Sequence, residues 1–355
     1  MTKLMMFAFI LTTLSLPSRS SVNDVWKGFS TPEIMDSGFT HKMSELPMKG
    51  TVQIGPRAWS GHYWPSKDGG INVRWNTQDQ EGFKYKSPSK VAVKYMTLDD
   101  LSKLSPTEKY DLYTGKYDYP LKELAATAAS RMAPDWAGIC HGWAPATLHH
   151  NEPTPKILTN ADGLKIPFGS SDIKALLSYY YAFHHETEDS HQVGLRCFFG
   201  GWLGGARGCD EDLNAGAFHI VMTNMLGLRK EGFIADVDRF KEVWNQPIVA
   251  YESEILSSNL SPSKSAAKSA VREMRIATEF FYVDEVKQVT WDVVHGTSEQ
   301  RLNSRNYVYR IELDRAGNIV GGEWESEERP DFLWNKEKAT KFEGILSRLP
   351  DLLND

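Results

Sequence analysis

The sequence is poor in cysteine, in surplus basic charge and in long apolar runs. Three cysteines among 355 residues exclude a small fold held together by a dense disulfide framework. Lys and Arg total 40 against 46 Asp and Glu, a net charge of −6. That balance excludes the electrostatic footprint that nucleic acid or an anionic membrane surface requires. Beyond residue 16 no stretch is long and apolar enough for a membrane helix. The glycines at 200, 201, 204, 205 and 208 are not followed by Gly-Lys-Ser or Gly-Lys-Thr, so they form no phosphate loop. No twelve-residue calcium loop and no internal repeat are present.

What is present begins with an apolar run. Lys3 precedes Leu4–Leu16, Pro17 breaks the run, and Ser18 and Ser20 are small enough for a cleavage site. The run is too short to span a bilayer, so residues 1–20 are expected to be a signal peptide and the protein secreted or periplasmic. An exported chain with an odd cysteine count holds at least one unpaired thiol. Cys197 and Cys209 bracket a Gly-rich segment able to close on itself, a pairing expected to contribute about 3 kcal/mol. Other pairings stay open. With this one, Cys140 is the free thiol and the Gly-rich segment a lid over a cleft.

Local patterning divides the rest of the chain. Residues 21–115 read as an irregular lead-in, with a strand at 90–95 and a helix starting at Thr97. Residues 116–260 read as a catalytic core. In it, apolar spacing predicts a helix over 119–132, and Pro134 ends it. A second helix runs from Cys140 to His150, with Pro145 in its first turns. Asn160-Ala161-Asp162-Gly163 marks a hairpin, and a third helix begins near Ser170. The apolar runs 217–226 and 233–237 read as an antiparallel hairpin. Residues 257–270, rich in Ser, Ala and Lys, are the best candidate boundary. The part from 261 to 355 carries strands at 275–282, 289–294, 307–313 and 319–324 and a closing helix over 336–349. Helices followed by sheet give an α+β enzyme.

The chemistry concentrates on Cys140, in Gly138-Ile139-Cys140-His141-Gly142-Trp143. A thiol attacks as thiolate, and the positive end of a helix lowers its pKa. His219 and then Asp236 follow in the order of a Cys-His-Asp constellation, the histidine as general base and the aspartate fixing its tautomer. Asp238 lies on the same strand face and competes with Asp236, which suits a compact hairpin better. Such an assembly performs acyl transfer through a thioester. The bland alternative is a buried cysteine beside a satisfied core histidine.

The stretch Gly138 to Ala146, Gly216-Ala217-Phe218-His219 and Glu242-Val243-Trp244-Asn245-Gln246-Pro247 resembles the transglutaminase-elicitor family of oomycetes and bacteria. So do Gly61-His62-Tyr63-Trp64-Pro65, Gly69–Asn72, Gly321–Trp324 and Pro330–Trp334, so the resemblance spans about 55–335. It implies a transglutaminase core related to that of papain, joined to additional antiparallel β-sheet elements. It implies Cys140 as nucleophile and His219 as base, with a glutamine carboxamide as acyl donor. A lysine amine would resolve the thioester to an isopeptide crosslink, and water to glutamate. The expected partners are therefore proteins carrying Gln and Lys, with no nucleic acid and no membrane. No cofactor is needed for the chemistry, although transglutaminases often use calcium. Trp136 and Trp143 are candidates to exclude water. The resemblance also implies an exposed epitope at Trp244–Pro247, and Ile248-Val249-Ala250 departs from the family's more polar continuation.

Two groups of histidines receive bland readings. His184, His185 and His191 match no strong zinc spacing and read as a solvated helix end or loop. His141, His149 and His150 read as helix-surface residues. A papain-like cysteine peptidase and a non-catalytic secreted recognition protein remain the rival functions.

Overall fold

A computed structural model describes Trp26, residues 28–52, 57–78, 80–185, 191–196, 213–239 and 242–354. The expected signal peptide, the Cys197–Cys209 pairing and the Gly-rich lid lie outside the described residues.

The N-terminal part contributes strand β1 (Lys49–Thr51), several single-turn 3-10 helices, and short helices α1 (Lys90–Val93) and α2 (Leu98–Ser102). Residues 90–93 are helical instead of extended because the Ser89 hydroxyl caps them, accepting from the Ala92 N–H. Helix α2 starts on a capping box between Thr97 and Asp100, and α3 (Pro106–Tyr113) on one between Ser105 and Glu108. Helices α4 (Pro120–Thr127), α5 (Cys140–His149) and α6 (Ser170–Phe183) complete a helical layer, with the hairpin β2 (Lys156–Thr159) and β3 (Lys165–Phe168) between the last two. At Gly142 the backbones of α5 and α6 meet so closely that a Cβ would lie 2.1 Å from the Ser178 carbonyl oxygen. Pro145 is the sixth residue of α5, past the first turn, so the helix forgoes the bond an N–H there would make to the His141 carbonyl.

The second layer is one large antiparallel sheet. It comprises β4 (His191–Val193), β5 (Phe233–Asp236), β6 (Asn245–Leu260), β7 (Arg272–Val283), β8 (Leu302–Leu313), β9 (Ile319–Trp324) and β10 (Phe332–Asn335). Their order is β4-β10-β5-β6-β7-β8-β9, with β1 also on β6. The chain is thus α+β, with mixed helices and antiparallel sheet. Helix α7 (Ala215–Met222) precedes β5 and widens into a π-helical turn over Thr223–Arg229. The expected hairpin of 217–226 with 233–237 is therefore not formed. Asn214 caps α7 by accepting from the Gly216 N–H, and β5 pairs with β6 and β10. Residues 289–294 are not a strand, because the Val294 and His295 N–H groups donate to the buried Glu152 carboxylate. Residues 336–349 form no long helix but end in 3-10 turns, one opened by Gly344 at φ 63°. Strand β6 continues through Leu260 and pairs with β7, so residues 261–271 join two neighbouring strands of one sheet.

The sheet separates two cores. One collects residues of α3, α4, α5 and α6 and takes Val249 from β6. The other collects α7, Phe233 and Ala235 of β5, Ile248 of β6, and Phe280, Tyr309 and Ile311. Alternation along a strand puts adjacent side chains on opposite faces, so this partition fixes which face each sheet residue presents.

Candidate active site

Cys140 opens α5, and two backbone contacts hold the segment leading into it. The Ile139 N–H donates to the Tyr63 carbonyl at 2.7 Å, and the Ser66 N–H to the Ala137 carbonyl at 2.8 Å. Gly138 is required here, since a Cβ would sit 2.3 Å from the Tyr63 oxygen. Within α5 the indole N–H of Trp143 donates to the Trp59 carbonyl at 3.3 Å and the side chain is fully buried, so Trp143 is a core residue. Trp136 is half-buried, with the Arg196 guanidinium 5.6 Å above its ring. His150 is also buried, with Nε2 on the Tyr181 hydroxyl at 2.9 Å, which corrects the surface reading. His141 and His149 are half-buried, in ring contact with Phe183 and Tyr181 respectively.

The thiol of Cys140 is buried and meets β6. Asn245 Nδ2 donates to Sγ at 3.6 Å, and Sγ faces the Val243 carbonyl oxygen at 3.9 Å. The amide of Asn245 is oriented by Trp334, whose indole N–H donates to Asn245 Oδ1 at 2.8 Å. An indole nitrogen can only donate, so Oδ1 faces it and Nδ2 faces the sulfur. Burial pushes the thiol pKa up. The main-chain and side-chain N–H groups of Asn245 pull it back, as does the His141 N–H, while the Glu285 carboxylate pushes it up. These donors, with the positive end of α5, favour the thiolate.

The structure does not assemble Cys140 with His219. Asn245 lies opposite Asp236 in the β5–β6 ladder, and paired residues share a face. Asp236 therefore lies on the same side of the sheet as Cys140, as Phe233 and Ala235 face the other core. His219 lies on that other side, on α7, with Nδ1 on the Tyr309 hydroxyl at 2.8 Å. Among the described residues His219 Nε2 has no hydrogen-bond partner, nor does Asp236 Oδ2. Neither a Cys140–His219 nor a His219–Asp236 bond is made. Burial lowers the His219 pKa to about 3, so the ring stays neutral. The expected order Cys-His-Asp is present in sequence, but α7 puts its histidine behind the sheet.

Asp236 is fully buried, with Oδ1 accepting from the Trp244 N–H at 3.4 Å. Burial, then the nearby Asp331 and Asp238 carboxylates, raise its pKa to about 9. Asp238 is also buried, 3.6 Å from the Arg305 guanidinium. A carboxyl with a raised native pKa keeps its proton while the unfolded chain ionises. Its stabilisation is complete below about pH 4 and is lost as pH rises through about 9. Asp236→Asn should therefore flatten the decline of Tm between pH 5 and 9, measured by thermal melts across that range. An unchanged slope would contradict the protonated state of Asp236.

Two functional candidates escaped the sequence reading. Asn245 sat in a recognised motif but was assigned to an exposed epitope. Instead Asn245, Gln246 and Pro247 are buried on β6, while Val243 and Trp244 are half-exposed and Glu242 is exposed. Glu285 carried no motif signal. It accepts from Gln246 Nε2 at 3.2 Å, and burial, followed by Asp284, raises its pKa to about 8. His184, His185 and His191 do not converge. His185 contacts the Glu337 carbonyl and His191 the Ile34 carbonyl. Among the described residues no three His, Cys, Asp or Glu side chains gather in a way that could hold a metal ion. No described helix is long and apolar enough to cross a membrane.

A family model described as transglutaminase elicitor matches residues 33–347. Among solved structures, the chain is similar to the GP42 transglutaminase from Phytophthora sojae, with a TM-score of 0.64 and 23% identity. The match covers 88% of this chain and 92% of that one, and at this identity it shows a shared fold. No curated protein matches the chain.

Proposed function

Because the chain belongs to the transglutaminase elicitor family, we propose that it is a secreted thiol acyltransferase, a protein-glutamine γ-glutamyltransferase with Cys140 as nucleophile. The observation that carries this reading is the setting of Cys140 Sγ. It stands at the first residue of a ten-residue helix, faced by the amide of Asn245 at 3.6 Å. A buried cysteine serving only to pack needs no oriented donor on its sulfur.

In the proposed reaction the thiolate attacks a glutamine carboxamide. The Sγ–C bond forms, the C–N bond breaks, and ammonia leaves carrying the proton released by the thiol. A lysine amine then attacks the γ-glutamyl thioester, giving an isopeptide and regenerating the thiol, while water gives glutamate. Asn245, held by Trp334, acts as the positioning residue for the sulfur. Glu285, whose carboxyl pKa is raised by burial to about 8, is largely protonated at neutral pH, which limits its upward push on the thiol pKa. His219 is not assigned the base role, given its place behind the sheet.

Incubating the protein with a glutamine-bearing protein and a labelled primary amine tests this function. Incorporation of label with release of ammonia is expected. New N-termini without ammonia would favour the peptidase, and neither product would leave the recognition protein.

A further inference from the structure

A cavity of about 160 Å³ lies directly beside the residues that lead into Cys140. Its walls include Trp64, Ala125, Ala129, Ile139, Tyr179 and Phe183, so it is shaped mainly by apolar atoms. We propose that this cavity is an acyl-donor subsite that takes a branched aliphatic or phenyl side chain of the polypeptide carrying the reactive glutamine. The inference rests on the acyl-transfer reading above and deepens it.

Four observations support that occupant. First, size: a space of about 150 Å³ is large enough to take a benzene-sized guest. Second, place: Ile139 forms part of the wall and directly precedes the nucleophile. Adjacent α-carbons are about 3.8 Å apart, and same-face side chains of an extended peptide repeat about every 6.6 Å. The cavity wall thus begins one residue from the nucleophile, a separation no larger than that between a glutamine and a side chain two positions away. Third, access: Phe183 is 43% exposed and Ala129 half-buried, so the walls reach the surface and are not sealed in the core. Fourth, backbone: Trp64 is held at φ 50°, a region that bulky residues rarely occupy. Its neighbour Tyr63 anchors the Ile139 N–H, so one strained turn shapes the cavity wall and holds the entry to α5.

The test compares kcat/KM for glutamine peptides carrying Leu or Gly two residues before or after the glutamine, with N-acetyl-Gln-Gly as small donor. For the wild type, Leu on one side should be preferred by about 10-fold or more, the discrimination expected of a well-fitted apolar pocket. Ala129→Phe, which fills the cavity, should abolish that preference and leave N-acetyl-Gln-Gly turnover within about twofold. Phe183→Ala, which removes a wall at the surface, should weaken it and serves if the filled variant does not fold. Equal rates for Leu and Gly peptides, or a preference unchanged in both folded variants, would overturn the subsite. Failure of the wild type to transfer acyl groups from any donor, the small one included, is a distinct result. It would overturn the acyl-transfer reading and the subsite with it.

Discussion

Cys140→Ala is expected to lower amine incorporation by at least about 10⁴-fold, the scale seen when a covalent nucleophile is deleted. The size of the effect follows from the role of the sulfur. Without Sγ no thioester forms, and direct attack of an amine on a carboxamide has no comparable route. The folded state should hardly notice the change. Among the described residues Sγ accepts from the Asn245 amide and faces the Val243 carbonyl, and removing one buried heavy atom costs about 1 kcal/mol. Activity and melting temperature measured on the same preparation separate catalysis from folding. Full activity in the alanine variant would refute the nucleophile. Loss of activity together with loss of the cooperative melt would instead mark Cys140 as a packing residue.

The largest effect on stability is expected at Asp172. This fully buried carboxylate accepts from Lys109 Nζ at 2.6 Å, the Trp75 indole N–H at 2.8 Å and the Gly169 N–H at 2.7 Å. Lys109 is equally buried, its ammonium lying 5.0 Å from the Trp291 ring centre. Burial pushes the aspartate pKa up and the lysine pKa down, against the attraction between them. Asp172→Ala strands a buried ammonium together with the indole and backbone donors, so chemical denaturation should report a loss of about 3–5 kcal/mol. The pair is less valuable than that figure suggests. Replacing both partners by apolar residues, Lys109→Met with Asp172→Leu, should recover most of the loss, because no unpaired charge then remains in the core. A single variant costing under about 1 kcal/mol would mean that water reaches the pair.

Much of the helical layer was legible in the sequence because local chemistry decides it. The Thr97 cap, the Asn160–Gly163 turn and the start of α6 near Ser170 depend on neighbours a few residues away, and each lies where the pattern put it. The strands around 275–282, 307–313 and 319–324 also follow their alternation. The run 217–226 did not, because a fully buried helix and a fully buried strand are both continuously apolar. The deciding contacts are the Asn214 cap and the meeting of Gly216 with Gly321, where a Cβ would approach to 2.4 Å. The second of these is invisible without the fold.

The same ambiguity decided the site. Cys140 was readable from its motif and its place at a helix start. Its surroundings were not, because they depend on which face of the sheet each segment covers. Reading 217–226 as a strand put His219 beside Asp236. Folding it as α7 puts the histidine on Tyr309, across the sheet from Asp236. Asn245, taken for part of a surface epitope, faces the sulfur because β6 alternates and Asn245 pairs with Asp236.

The most direct measurement is the intact mass of the protein, acid-quenched during turnover of a glutamine peptide without added amine, followed by peptide mapping. A γ-glutamyl thioester predicts a mass increase equal to the donor less ammonia, located on the peptide containing Cys140 and absent from Cys140→Ala. An unmodified Cys140 peptide, found while ammonia is being released, would contradict the account.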